Sequence, residues 1–317
     1  MIRNLLTLCV FVAVIGPGCK QDSESKTTIA VIPKGTSHEF WKSVEQGAQK
    51  AGQDLNVRII WKGPLKEDDK TQQIAIVEQF VSEGVSGICL APLDDTALLA
   101  PVQTASQKKI PVVIFDSALK GKVGADFASY VATDNRKGGQ MGGEELARLL
   151  NGKGKVVLLR YKEGHASTSE REEGFLEAIR KHPGIEIIQE NRYGGATAGE
   201  AQRSAENLVD KLREADGIFC PNESSTAGML TALEGFGLAG QKKFVGFDTS
   251  APLVQGLRQD KIHALVAQDP TKMGYEAVSA MVKHLKGEKV PGYTDTGARL
   301  VTKDKLEDPE IKKLIGG

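Results

Sequence analysis

Apolar runs that stop abruptly on one short polar side chain restrict this chain more than any other feature, because they recur. Phe244-Val245-Gly246-Phe247-Asp248 ends in a carboxylate, and so does Ile110-Pro111-Val112-Val113-Ile114-Phe115-Asp116. Gly217-Ile218-Phe219-Cys220-Pro221-Asn222 ends in Asn, and Val266-Ala267-Gln268 in Gln. Short continuous apolar runs of this kind read as buried strands. In open α/β sheets, the position just past the C-terminal end of such a strand is where ligands bind. Asp and Asn are also ordinary turn formers and helix N-caps, and either role explains any one of them alone. All of these strand ends together, far apart in sequence and separated by helical segments, are more simply explained by convergence on one polar, uncharged ligand.

The intervening chain alternates strand and helix. Strands are expected at 28–33, 57–61, 85–90 and 110–115. Helices are expected after the loop 34–41, with Ser37 as N-cap, and at 74–81 and 94–106. This βαβαβαβ order implies a parallel sheet with right-handed crossovers. A second unit begins with a strand at 129–133 feeding Asp134-Asn135, and continues through a glycine-spaced helix that opens with Gly138-Gly139-Gln140-Met141-Gly142-Gly143. Those glycines predict close helix packing. Strands at 155–159 and 185–189 follow, with helices at 169–183, 201–212 and 273–285 and a last strand at 298–302. The expected fold class is α/β, with two doubly wound parallel-sheet lobes and a ligand cleft between their strand C-termini. The boundary falls near 130–133. The chain should cross between lobes more than once, because the residues after Gln268 do not complete a unit alone.

The length of 317 residues suffices for two domains with full cores. Lys and Arg total 41 and so do Asp and Glu, so no broad basic field for nucleic acid is indicated. Arg3, the apolar run 5–15 and Gly16-Pro17-Gly18-Cys19 read as a lipoprotein signal. Residues 1–18 would be removed, Cys19 lipidated, and 19–27 left as a polar tether; a plain secretory signal cleaved nearby is the alternative. No helix-turn-helix pattern lies before Thr28, so a DNA-binding regulator is not expected. Cys89 and Cys220 lie inside apolar strands and are expected as buried structural thiols. Pro33-Lys34-Gly35 after the first strand lacks the Gly-x-Gly-x-x-Gly of a dinucleotide site. Gly152-Lys153-Gly154-Lys155 precedes a strand and reads as a helix C-cap and turn. His38, His165, His182, His263 and His284 show no metal spacing, and nothing supplies a nucleophile beside them. No catalytic residue, metal or cofactor is expected.

From about Thr27 to its end the chain resembles the periplasmic sugar-binding proteins of the ribose/galactose type, which have the type I periplasmic binding fold. The matching words, in the family's order, are Phe40-Trp41 with Gln46-Gly47-Ala48, Ile110-Pro111-Val112 to Asp116, Asp134-Asn135 with Gly138-Gly139, Arg171 with Glu173-Gly174-Phe175, Asn222-Glu223, Val245-Gly246-Phe247-Asp248, and Gln268. The resemblance implies ligand contacts from Phe40, Trp41, Asp116, Asn135, Arg171, Asn222, Asp248 and Gln268. It implies a multi-strand hinge near Ala132-Thr133, Gln268-Asp269 and Gly297-Ala298. The lobes would then be 28–132 with 269–297, and 133–268 with 298–317. It further implies a solute-binding protein that hands a sugar to an ABC permease; the signal segment would hold it at the cell envelope through Cys19, and a monomer is expected because no interface stripe stands out. A ligand-sensing role for a receptor or chemotaxis system is the alternative, and a Rossmann-like enzyme a more distant one. The residue chemistry agrees: Asp accepts, Arg donates in a planar fork, Asn and Gln do both, and aromatic rings pack on sugar C–H faces.

The chain departs from the ribose-binding pattern at named positions. Lys34 replaces a small polar residue, His38 an Asn, and Ser117 the Arg that follows the Asp. Tyr193 is the one candidate for a second stacking aromatic. Lys34 and His38 join the candidate ligand set, Lys34 either as partner of a ligand carboxylate or as a solvated rim lysine. A pentose, a hexose, a polyol and a sugar acid all stay open.

Overall fold

The computed structural model describes residues 27–315, so the expected signal segment and Cys19 lie outside the described residues. Strand β1 (Thr28–Ile32) shows how the sheets are made. Ile29 and Val31 join one apolar cluster, while Ala30 and Ile32 join another on the opposite face. A strand covered on both sides needs apolar side chains at every position, which is why these runs do not alternate with polar residues.

The first unit continues through α1 (Glu39–Asp54), β2 (Arg58–Trp61), α2 (Lys70–Glu83), β3 (Gly87–Leu90), α3 (Leu99–Gln107), β4 (Val112–Phe115) and β5 (Ser129–Ala132). The second comprises α4 (Asn135–Leu149), β6 (Lys153–Arg160), α5 (Ala166–Ile179), β7 (Gly184–Tyr193), α6 (Ala198–Glu206), α7 (Val209–Glu214), β8 (Gly217–Phe219), α8 (Glu223–Gly235), β9 (Lys243–Phe247), α9 (Ala251–Arg258) and β10 (Ala264–Gln268). The chain then returns through α10 (Pro270–Leu285) and β11 (Tyr293–Asp295) before β12 (Ala298–Val301) and α11 (Pro309–Leu314). One six-stranded sheet has the order β11-β5-β4-β3-β1-β2 and the other β12-β10-β9-β8-β6-β7. Every pairing is parallel except β10 with β12. The chain passes between the sheets at β5–α4, at β10–α10 and at β11–β12. These crossings lie side by side: Thr133 Oγ1 is 3.3 Å from Thr296 Oγ1, and the Asp134 amide donates to Asp295 at 3.1 Å.

Each sheet carries helices in unusually close contact. On the first sheet, Met273, Ala277 and Val278 of α10 share a cluster with Trp41, Val44 and Ala48 of α1. A Cβ on Gly47 would stand 1.9 Å from the Thr271 carbonyl oxygen. On the second sheet, a Cβ on Gly139 of α4 would stand 1.9 Å from the Arg171 carbonyl oxygen of α5. Of the glycines that the sequence marks for packing, Gly139 and Gly143 face α5, its backbone included, while Gly138 and Gly142 face the rings of Phe247 and Phe219 in the sheet. Cys89 and Cys220 are free and buried, as expected.

Several local expectations need correction. Helix α3 starts at Leu99 and not Asp94, because Asp94 instead accepts from the Thr96 and Ala97 amides and holds a turn. The segment 201–212 is two helices, broken between Glu206 and Val209. Ser37 does not cap α1; the N-cap is His38, whose side chain makes no capping hydrogen bond.

Gly139→Ala should destabilise the protein by roughly 1–3 kcal/mol, since the added methyl can only be accommodated by moving the backbone of α5. Urea unfolding of the variant beside the parent checks this, and an unchanged midpoint would refute it.

Candidate functional site

The C-terminal ends of the parallel strands in both sheets point into the space between the lobes, and the polar strand-end residues meet there. Two of them turn the chain in the same unusual way. Asp116 after β4 has φ 62° and Asp248 after β9 has φ 71°. Non-glycine residues avoid this left-handed region at a cost of about 1–2 kcal/mol, and Asp tolerates it better than most. In each case the amide bonds to the neighbouring strand, to Val131 at 3.0 Å and to Val266 at 2.9 Å. Both Asp side chains are buried in the cleft.

In the second lobe, Arg171 of α5 is the centre. Its Nε donates to Asn135 Oδ1 at 2.8 Å, Nη1 to the Pro221 carbonyl at 3.1 Å and Nη2 to Gln268 Oε1 at 2.8 Å. Its guanidinium carbon stands 4.0 Å from the ring centre of Phe247. Gln268 passes the chain on, donating to Asp248 Oδ1 at 2.7 Å. Asp248 Oδ2 accepts from the Glu223 amide at 2.8 Å. Burial raises Asp248 above the usual carboxylate range, with Arg171 and Gln268 opposing it. Asn222 caps α8 through its own side chain, which accepts from the Ser225 amide at 3.2 Å.

In the first lobe, Lys34 Nζ lies 2.8 Å from Asp116 Oδ2. The approach falls outside hydrogen-bond geometry, so the contact is ionic. Lys34 also donates to Ser167 Oγ of α5 at 3.0 Å. It is only 4% exposed, so it is not a solvated rim lysine. Trp41 packs in the first-lobe core, 1% exposed, yet its edge reaches the cleft and Nε1 donates to Glu67 at 2.7 Å. Phe40 is half-buried and meets Trp41 edge to face.

Glu67 gathers donors from both lobes. Besides Trp41 it accepts the Tyr161 hydroxyl of the second lobe at 3.1 Å, and His38 Nδ1 stands 2.9 Å away. Burial opposes the charged forms of both His38 and Glu67, but their mutual attraction outweighs it. His38 is raised to about 9 and Glu67 lies well below the usual carboxylate range. His165 is the opposite case. Burial and the Lys34 charge lower it to about 3, so it stays neutral beside Glu67.

Lys34, His38, Phe40, Trp41, Asp116, Arg171, Asn222, Asp248 and Gln268 thus line one cavity, together with Glu67, Ser167, Thr168 and Glu223. Asn135 stands behind Arg171 and orients it instead of lining the wall. Tyr193 does not reach the cleft; it is 44% exposed at the end of β7. The cavity measures about 20 Å³, room for about one water, so a monosaccharide enters only if the lobes part. Glu67 carried no sequence signal beyond ordinary charge, and Glu223 stood beside Asn222 in a family word without being singled out. Among the described residues, no group of three His, Cys, Asp or Glu side chains could hold a metal, and no helix is long and apolar enough to cross a membrane.

The chain matches a family model described as periplasmic binding protein domain over residues 29–289. It is 28% identical to the ribose import binding protein of Salmonella typhimurium over 302 residues, covering 95% of this chain and 99% of that one. It is also 28% identical to the D-ribose/D-allose-binding protein of Pseudomonas aeruginosa, covering 89% and 90%. Among solved structures, the periplasmic component of an ABC-type sugar transport system from Hahella chejuensis superposes with TM-score 0.84 at 34% identity, covering 87% of this chain and 99% of that one. A carbohydrate transporter solute-binding protein from Agrobacterium radiobacter, in complex with D-arabinose, superposes with TM-score 0.88 at 32% identity, covering 92% and 100%.

Histidine side-chain NMR should find His38 titrating near 9 and His165 neutral down to about 3. The stability contributed by the His38–Glu67 pair is then complete between 4.5 and 6.5, the ordinary values of the two groups; it is lost as pH rises through about 9 and again as pH falls through the depressed range of Glu67. Glu67→Gln should lower His38, because Glu67 is the main group opposing its burial, ahead of Glu223 and the Ala196 backbone. An unshifted His38 in the parent would contradict the pair.

Proposed function

The chain belongs to the periplasmic binding protein domain family, and on that premise we propose that it is the solute-binding component of an ABC-type importer for a neutral monosaccharide. The observation that carries this is the convergence of Asp116, Arg171, Asn222, Asp248 and Gln268, with Phe40 and Trp41, on one interlobe cavity. This set offers acceptors, a planar donor and amides to ring hydroxyls, and aromatic surface to ring carbons. In the present closed arrangement many of the same groups satisfy one another, so ligand hydroxyls would take over hydrogen bonds that already have a geometry. Its relatives and neighbours are named for ribose, allose and arabinose, which are uncharged.

Neutrality follows from the pairing of the cations. Lys34 is matched by Asp116, His38 by Glu67, and Arg171 is surrounded by oxygen acceptors. A ligand carboxylate would have to displace one of these partners and also face Glu223 and Asp248. We assign binding and not catalysis to the cleft. The moving bodies in this reading are 28–132 with 269–297 and 133–268 with 298–317, hinged where the chain crosses between the sheets. Placement in the cell envelope accords with the family; the lipid anchor on Cys19, the membrane permease as partner and the monomeric state are parts of the same proposal.

Thermal unfolding against pentoses, hexoses, polyols and sugar acids tests it. A neutral sugar at about a hundred times its dissociation constant should add about 2.7 kcal/mol of stability, a shift of several degrees. Asp248→Ala should abolish the shift, because it removes an acceptor and leaves the Gln268 amide nitrogen without its partner. A shift with sugar acids alone would make Lys34 a ligand contact and overturn neutrality; no shift with any member, from protein shown by mass spectrometry to carry no ligand, would overturn the reading.

A further inference from the structure

Helix α1 begins without a cap of its own. The His38 side chain caps nothing, and the amides of Glu39 and Phe40 point into the cleft. They are met from the other lobe. Glu223, the first residue of α8, accepts from the Glu39 amide at 3.1 Å and from the Phe40 amide at 2.9 Å. A carboxylate at a helix N-terminus satisfies orphan donors and the positive end of the helix dipole together. Here the helix and its cap belong to different sheets, so parting the lobes uncaps α1. Glu223 is itself fixed, its amide bonded to Asp248 at 2.8 Å.

Glu67 makes the reciprocal contact. It comes from the first lobe, is held there by Trp41 and His38, and receives Tyr161 from the second. Tyr161 follows β6 directly and is buried. Its other hydroxyl contact is the Ala196 carbonyl at 3.4 Å. The Glu223 contact also stands at a partition. Phe40, Glu223, Asp248 and Gln268 line the inner cavity and, on their other side, an outer recess of about 360 Å³.

From these crossed contacts we infer that Glu223 and Glu67 are positioning residues that latch the closed lobes, Glu223 by capping α1 across the cleft and Glu67 by receiving the Tyr161 hydroxyl. The inference rests on the sugar-binding reading for its ligand kinetics. The latch acts through Phe40 and Trp41, which it holds against whatever occupies the cavity, and it sets how long the cleft stays shut. Loss of either contact favours the open form, so ligand should leave faster while entering no more slowly.

Stopped-flow tryptophan fluorescence with D-ribose, D-allose and D-arabinose as probes tests this on the full chain, Trp41 being the reporter. For each sugar that binds the parent, Glu223→Ala and Tyr161→Phe should each raise koff, by about tenfold for the lost cap, with kon unchanged or higher. Glu223→Gln keeps an acceptor and should recover part of the loss. An unchanged koff overturns the latch, and so does a fall in kon together with a lower Tm of the unliganded protein, which would mark a merely structural role. If no probe binds the parent, the sugar reading fails separately, and amide hydrogen exchange of the unliganded chain decides the latch. Glu39 and Phe40 should exchange faster in Glu223→Ala than in the parent, and equal rates overturn it.

Discussion

A guanidinium removed from water must have oxygen acceptors arranged around it, because a buried unpaired charge costs several kcal/mol. Arg171 imposes this condition on the second lobe. Its acceptors come from α4, from the loop after β8 and from the end of β10, and the ring of Phe247 at the end of β9 closes the remaining face. No one of those segments is near α5 in sequence. The charge therefore fixes the relative positions of four strand or helix ends to within a hydrogen bond. The close packing of α4 on α5 at Gly139 sets the height from which Arg171 reaches them. Gln268 then aims at Asp248 because its oxygen is already committed to Arg171 and only its amide nitrogen is free to turn.

The first lobe is organised by a weaker version of the same rule. Glu67 is a buried anion, and its donors are an indole, an imidazolium and a phenol. Two of these come from the loop and first turn of α1, which ties the aromatic pair Phe40 and Trp41 to the charge. The lobes differ in what remains for closure. The acceptors of Arg171 all come from its own lobe, whereas Glu67 completes its set only with Tyr161 from across the cleft. Closure thus completes the Glu67 set, while the Arg171 network of the second lobe stays preassembled, which lowers the ordering cost of binding.

Most of the architecture was legible because strands covered on both faces leave an unmistakable apolar run, and because their ends fall where α/β sheets place ligands. Asp116, Asn222, Asp248 and Gln268 were readable from that alone. Arg171 and Asn135 needed the family resemblance, since a helical Arg beside glutamates looks like any solvated face. Glu67 and Glu223 were not legible. Each sits among other charged or polar residues, and what distinguishes it is a partner from a distant segment: Tyr161 for one, the α1 amides for the other. The expected Ser37 cap failed for the same reason, as the true cap comes from another lobe and local sequence cannot reveal it. Tyr193 failed because its strand runs on past the cleft and leaves the ring in solvent.

The departures from the ribose-binding pattern become one coordinated change once placed in space. An Arg following Asp116 would sit beside that carboxylate, and Ser117 removes it. Lys34, on the loop after β1, reaches Asp116 from the neighbouring side of the sheet at 2.8 Å. The positive partner of the strand-end Asp is retained and its origin has moved. Ser117 is then free for a different task, accepting the Ser167 amide across the cleft at 3.1 Å. Ser167 also receives Lys34, so the relocated cation bridges the lobes as an Arg on the Asp116 loop need not. The charge beside Asp116 is kept while its geometry is altered. On the proposed reading, that combination would keep the preference for an uncharged sugar and change which hydroxyl pattern fits. Replacing Asn by His38 acts in the same sense, because the imidazolium is committed to Glu67 and offers the ligand less than the amide it replaces. Selectivity among neutral sugars should therefore be set mainly by the first lobe, where the changes lie, with the Arg171 network of the second lobe supplying affinity common to all of them.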